Sequence, residues 1–440
     1  MQPQATLVVK VRMYRQGFGD CFLLSFLRGG QTFNMLIDCG VLENTEKKAA
    51  IMRLVAQDIK VVTANRIDLL VATHRHWDHV SGFLQARRVF GSMEVGRIWM
   101  PWTENPIDQQ AARMWKRSRA NLLLTRKLIT KSESKEAQVP SVHQGGKTEK
   151  MEDLRAGIDS ILSFSMDTHP DAGSTREVVR NDPRQALAYV STLGQAPLWY
   201  LEPDVSTEAA PLTLPGLEGV RIYVLGPPRD MMLLSHDYPN QWDAEDTIYG
   251  LSDLMKDSED NKLRRAFRRA LSLDSVVNNT SLALAIELTE SGKVLLFPAD
   301  AQIGNWESWS NLSWRVRAAD GSSWVVRIED LLSRTVLYKV SHHGSHNGTL
   351  RRRGLELMNH TDLVAMVPVD LETAAERLWW RIPEAQLMNS LKVHTRGRVI
   401  RSDTGLPDRD DLKRLSSQET AAFIAATRQQ DMWVELTIHE

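Results

Sequence analysis

His74-Arg75-His76-Trp77-Asp78-His79 is the stretch from which the rest of the chain is best read. It follows residues 67–73, an apolar run of the kind that forms a strand buried on both faces. The motif therefore stands at a strand's carboxyl end, where α/β folds place their sites. In extended backbone His74 and His76 share one side and can converge on one cation. Asp78 and His79 come just after, turned so that they can serve a second. Neutral imidazoles and a carboxylate suit Zn2+ or Mn2+.

Other strand ends carry the same residue types. Leu36-Ile37-Asp38-Cys39-Gly40 ends in Asp-x-Gly, Leu296-Phe297-Pro298-Ala299-Asp300 ends in Asp, and Val340-Ser341-His342-His343-Gly344-Ser345 carries a His pair. Singly, an Asp at a strand end is a turn residue and a His pair is a surface feature. Together they place several ligand-type side chains at carboxyl ends of strands.

Further out, residues 6–14, 21–26 and 32–37 read as strands, and 47–57 as a helix. More strands are expected at 198–201, 220–225, 281–288, 293–298, 335–340 and 363–369, with a charged helix near 262–271. Strands and helices interleave, so the fold class is α/β with layered sheets and helices. Residues 101–195 read as a mostly helical insertion, with helices at 108–131 and 150–163 around a polar stretch at 131–150. A second insertion, 302–334, holds Trp306, Trp309, Trp314 and Trp324, which suit either a satellite core or an exposed stacking platform. Residues 406–440 carry a helix whose Ser416 and Glu419 fit a capping box, then a strand at 432–439. The chain, 1–440, is thus expected to be one core with two insertions.

Composition removes several classes. Two cysteines, Cys21 and Cys39, exclude a disulfide scaffold and an all-cysteine zinc module. No stretch approaches the ~18 uninterrupted apolar residues of a membrane span, so no membrane partner is expected and the chain reads as soluble and cytoplasmic. With 54 Lys+Arg against 55 Asp+Glu, any contact with nucleic acid must be local. Arg351-Arg352-Arg353 and the run Arg264, Arg265, Arg268, Arg269 could track a phosphate backbone or form solvated charged faces.

The order Asp38, His74-x-His76-x-Asp78-His79, Asp300, His343 resembles the metallo-β-lactamase superfamily, and within it the hydrolase domain of ComEC-type DNA-uptake proteins and their free-standing relatives. Gln16-Gly17-Phe18-Gly19-Asp20, Val224-Leu225-Gly226-Pro227-Pro228, Asn278-Asn279-Thr280-Ser281, Lys339 to Ser345 and Arg396 to Asp403 carry the rest of the likeness. It spans most of 5–100 and 198–405 and leaves both insertions uncovered.

The resemblance implies an αββα sandwich with two divalent metal ions, Zn2+ or Mn2+, along one edge of the sheets. His74 and His76 would hold the first ion, Asp78 and His79 the second, with Asp300 bridging and His343 completing the second. Asp38 would orient a histidine ligand, and His342 would support the site from behind His343. One departure stands out. Many superfamily members supply a third imidazole to the first ion from the segment that here carries Gly226; His236, ten residues beyond, could substitute or be an ordinary loop residue.

The implied chemistry is hydrolysis by a hydroxide activated between two cations, with Asp78 in the catalytic centre. Phosphodiester cleavage of DNA or RNA suits it best; a small phosphoester or ester, and a non-catalytic ligand-sensing or docking protein, are the alternatives. His346 could act as general acid or contact phosphate, and Asn279, Ser281, Ser345 and Arg351 could bind substrate. The insertions offer surface for a partner protein or a second copy of the chain.

Overall fold

The computed structural model describes residues 5–136, 182–236, 261–318, 320–376 and 382–440. The expected helix at 150–163 and the part of the polar stretch at 137–150 lie outside the described residues. Sixteen strands are seen among the described residues. They are β1 (Val8–Tyr14), β2 (Cys21–Arg28), β3 (Gln31–Cys39), β4 (Arg66–Val71), β5 (Glu94–Pro101), β6 (Trp199–Leu201), β7 (Val220–Val224) and β8 (Leu284–Leu288). Then follow β9 (Val294–Phe297), β10 (Ser313–Arg317), β11 (Ser323–Arg327), β12 (Thr335–Lys339), β13 (Val364–Val367), β14 (Val399–Arg401), β15 (Thr427–Gln430) and β16 (Trp433–His439).

Two sheets hold most of them. One has the order β15-β16-β1-β2-β3-β4-β5-β6, the other β14-β13-β12-β9-β8-β7. Alternation within the first strands explains the packing. Val9, Val11, Phe22, Leu24, Met35 and Ile37 point between the sheets, against Ile222, Leu284, Leu295, Phe297 and Leu337. Their neighbours Leu23, Leu36 and Leu70 point outward onto Met52, Val55, Ile59 and Phe83, from α1 (Glu46–Val62) and α2 (Trp77–Gln85). Both faces of these strands are covered, which is why they read as continuous apolar runs.

The outer face of the six-stranded sheet is covered in turn by the Trp-rich segment and by helix Ala385–His394. Trp306, Trp309 and Trp314 are buried there with Tyr223 and Tyr338, whereas Trp324, 43 % exposed, stands on the hairpin β10–β11. The layers therefore run helix, sheet, sheet, helix, the αββα arrangement expected from the sequence.

Several elements are longer or shorter than their sequence signals. Helix α1 continues to Val62 because Val55, Ala56 and Ile59 find cover on the sheet. The charged helix runs Asn261–Asn278, well past residue 271. Ser416 and Glu419 do form a capping box. No helix among the described residues is long and apolar enough to cross a membrane.

Candidate metal centre

The carboxyl ends of β3, β4, β9 and β12 meet at one edge of the sandwich. A backbone bond from Leu282 N to Thr73 O, 2.9 Å, ties the end of one sheet to the other there. Beyond β4, His76 caps α2, so Asp78 and His79 fall in its first turn. That turn sits close against the 17–20 and 39–40 turns: Asp20 N donates to Asp78 O at 3.0 Å, and a Cβ on Gly40 would lie 2.2 Å from the Asp78 carbonyl carbon. Only glycine lets the two segments approach this closely.

Asp38 is buried and fixes two neighbours. Its Oδ1 accepts from Thr73 N at 2.8 Å, and its Oδ2 stands 2.8 Å from His79 Nδ1. The other ring nitrogen of His79 then faces Asp300 Oδ2 at 3.0 Å and Asp78 Oδ2 at 3.7 Å. His343 gives Nδ1 to Pro368 O at 2.7 Å, which turns Nε2 to Asp78 Oδ2 at 2.9 Å and Asp300 Oδ2 at 3.2 Å. His74 packs its ring 4.2 Å from that of His79 and 4.8 Å from that of His76. Asp38, Ala299, His342 and His343 all have φ near +50°, a conformation costly for residues with a side chain that collects at functional sites.

Three further residues of the centre escaped sequence reasoning. Asp20, with His79, Asp300 and His343, forms a group whose ligand atoms all lie within 4.8 Å of one another, a set able to hold a metal ion. Lys339 is buried between two of the acids, its Nζ 2.6 Å from Asp20 Oδ2 and 3.1 Å from Asp300 Oδ1. Asp274, from helix Asn261–Asn278, brings Oδ1 to 3.7 Å from His76 Nε2. Asp20 and Lys339 belong to stretches that carry the family likeness, which was a usable signal; Asp274 had none.

Electrostatics divide the histidines in two groups. Burial holds His74 well below the ordinary imidazole value and pushes His76 down to about 4, so both rings are neutral at neutral pH. Burial acts the same way on His79 and His343, but the carboxylates win. Asp300, Asp20 and Asp78 hold His79 well above its usual range, and Asp300 with Asp78 lifts His343 to about 10. Asp300 is itself held low, against burial, by His343, His79 and Lys339. Asp274 rises to about 8, first through burial and then through Asp300 and Asp78.

The donors fit a divalent cation. His74 Nε2, Asp20 Oδ1 and Asp78 Oδ1 are buried lone-pair atoms with no hydrogen-bond partner among the described residues, a condition buried polar atoms rarely tolerate.

Residues 14–111 match the metallo-beta-lactamase superfamily. That superfamily is one of metal-dependent hydrolases, and the matched segment contains Asp20, Asp38 and the whole 74–79 motif. Asp300 and His343, from the second sheet, lie beyond the superfamily match, yet the fold returns them to the same centre. No curated protein matches the chain.

The remaining sequence-predicted residues are placed as follows. His342 lies behind the centre, its ring nitrogens 3.3 Å from Asn278 Nδ2 and from Gln302 Nε2. Asn279 donates to the carbonyls of Leu234 and His236 and accepts from Asn305 N, while Ser281 Oγ accepts from Asp300 N at 3.2 Å. Both are thereby engaged in holding backbone. Ser345 donates to Asn347 at 2.9 Å. Burial pushes His346 down to about 4, and its Nε2 has no hydrogen-bond partner among the described residues. Arg351 pairs with Glu356 at 3.5 Å. His236 pairs with Glu307 at 2.9 Å. A Cβ on Gly226 would lie 2.2 Å from Asn305 Oδ1, so no imidazole can enter from that segment without moving Asn305.

Proposed function

We propose that this chain is a metal-dependent phosphodiesterase acting on DNA or RNA, a relative of the ComEC-type hydrolase domain with two divalent ions. The convergence of His74, His76, Asp78, His79, Asp300 and His343 on one buried edge carries the reading. His74 and His76 would hold one ion, Asp78, His79 and His343 the other, with Asp300 between them. Bound divalent ions would supply Lewis acidity towards phosphoryl oxygens and lower the pKa of water.

The chain's own residues do the rest. Asp38 fixes the ring of His79, and Pro368 O fixes that of His343, so their Nε2 atoms aim at the acids. Lys339 occupies Asp300 Oδ1, which leaves Oδ2 facing the histidines. His346, a neutral base at neutral pH, suits a phosphate contact through its ring N–H better than proton donation.

Support for a polymeric substrate comes from helix Asn261–Asn278. Arg265, Arg268 and Arg269 are exposed on the same helix that ends at the centre with Asp274, about 8 Å further along its axis at ~1.5 Å per residue. The side chain of Arg264 lies outside the described residues.

The test is a substrate panel run across divalent metals. Purified protein with Mn2+ or Zn2+ is expected to cut single- or double-stranded DNA or RNA, and the pair Asp78→Ala with His79→Ala to abolish cutting. Turnover of small phosphodiesters alone would replace the nuclease reading with the small-substrate one.

A further inference from the structure

In the two-ion reading, His74 and His76 would give the first ion two imidazoles, and Asp300 would add a carboxylate. A first-row divalent ion in such a site takes at least four donors. The segment from which a third imidazole is expected carries Gly226. Gly226 is pressed against Asn305, and the ring of His236 is turned to Glu307.

Asp274 faces the His76 ring from helix Asn261–Asn278. Its side chain is 13 % exposed, and its two oxygens are treated differently by the protein. Oδ2 accepts from Asn278 Nδ2 at 2.9 Å and from Gln302 Nε2 at 3.5 Å, which fixes the carboxylate plane. Oδ1 is thereby turned to His76 Nε2, at 3.7 Å. That separation is too long for a hydrogen bond and close to the ~3–3.5 Å between neighbouring donors on one ion with bonds of ~2.1 Å. The two amides that hold Oδ2 also hold the two ring nitrogens of His342, so carboxylate and imidazole share one support.

We propose that Asp274 is a ligand of the first cation, taking the place of a third imidazole in that site. The inference rests on the metal-hydrolase reading above. It also has a chemical consequence: two imidazoles with two carboxylates form a harder donor set than three imidazoles with one. Such a set moves preference from Zn2+ towards Mn2+.

The experiment uses the full chain, stripped with a chelator and reloaded with Mn2+ or Zn2+ alone. Bound metal is counted by mass spectrometry, and affinities are measured by calorimetry. Wild type is expected to hold two ions; Asp274→Asn, which keeps the volume, about one, with the weaker site at least tenfold poorer. The electron spin resonance of the Mn2+ form should change from a coupled pair to an isolated ion. Asp274→His should restore the second ion and move the preference to Zn2+.

Two ions at unchanged affinity in Asp274→Asn would overturn the inference and leave the hydrolase reading standing. A wild type that takes up no ion would overturn both. Where Asp274→Asn fails to fold, Asn278→Ala leaves the carboxylate present but unanchored. It should weaken the first site severalfold, and an unchanged affinity there would also overturn the inference.

Discussion

At the scale of residues, the centre holds opposite charges against one another so closely that its protonation is set by neighbours. His343 keeps a proton up to a pH of about 10, because Asp300 and Asp78 outweigh the cost of burial, and His79 is raised in the same sense. A cation needs those nitrogens as free bases and must displace the protons. Affinity should therefore rise with pH, by about tenfold per unit for each proton released, and level off once pH passes the value of His343. Asp274, raised to about 8, adds a proton of its own below that pH if it is a ligand. His74 and His76, both lowered, add none near neutrality. Calorimetry of metal uptake from about pH 6 to 8, in buffers of different ionisation heat, counts the protons directly. A pH-independent affinity is the result that contradicts this account.

Residue type alone did not single out Asp20 or Lys339, although both lie in stretches that carry the family likeness. Asp20 ends a Gly-rich turn, where an Asp is the ordinary turn former, so its type carried no message. Lys339 ends a strand, a place where lysine usually meets water, yet here it is 1 % exposed between two acids. By contrast, the close spacing of His74, His76, Asp78 and His79 left a pattern that could be seen without any structure.

At the scale of elements, the apolar core strands were legible, whereas β5, β10, β11, β14, β15 and the helix ends were not. Strands β2 to β4 are apolar because both faces are covered, which leaves a continuous run in the sequence. Helix Asn261–Asn278 is different. Its last turns contain Ser272, Asp274, Ser275 and Asn278, poor helix formers that read as loop. They stay helical because Leu273 and Val277 are buried and Asn278 bonds back to Asp274. The same tertiary override hid Asp274.

The close contact between the turn at Gly40 and the first turn of α2 carries a test. A methyl group at Gly40 would overlap the backbone of Asp78 and His79, at 2.2 to 2.4 Å. Gly40→Ala removes no donor, yet it should lower stability by ~2 kcal/mol or more and reduce bound metal together with it. Thermal melts and metal counts on the variant decide the point. Full metal occupancy would mean that the segments are free to separate.

At the scale of the whole molecule, near-zero net charge means that any affinity for nucleic acid would have to come from local arginines. If Arg268 and Arg269 meet phosphates, kcat/KM on DNA or RNA should fall steeply with salt. Replacing both with Glu should make the log–log slope shallower by roughly one to two, while turnover of a small phosphodiester stays nearly insensitive to salt. Equal salt dependence for both substrates would remove this helix from the binding surface.

The order of strands in the larger sheet has a consequence in time. Strand β1 lies between β2 and β16, so the earliest strand takes its second neighbour from the last. A ribosome adding ~5–20 residues per second needs roughly 20–90 s to travel from one to the other. Through that interval one edge of β1 has no partner of its own. The nascent protein thus depends on whatever shields that edge in the cell, and loss of residues 433–439 would turn a transient exposure into a permanent one.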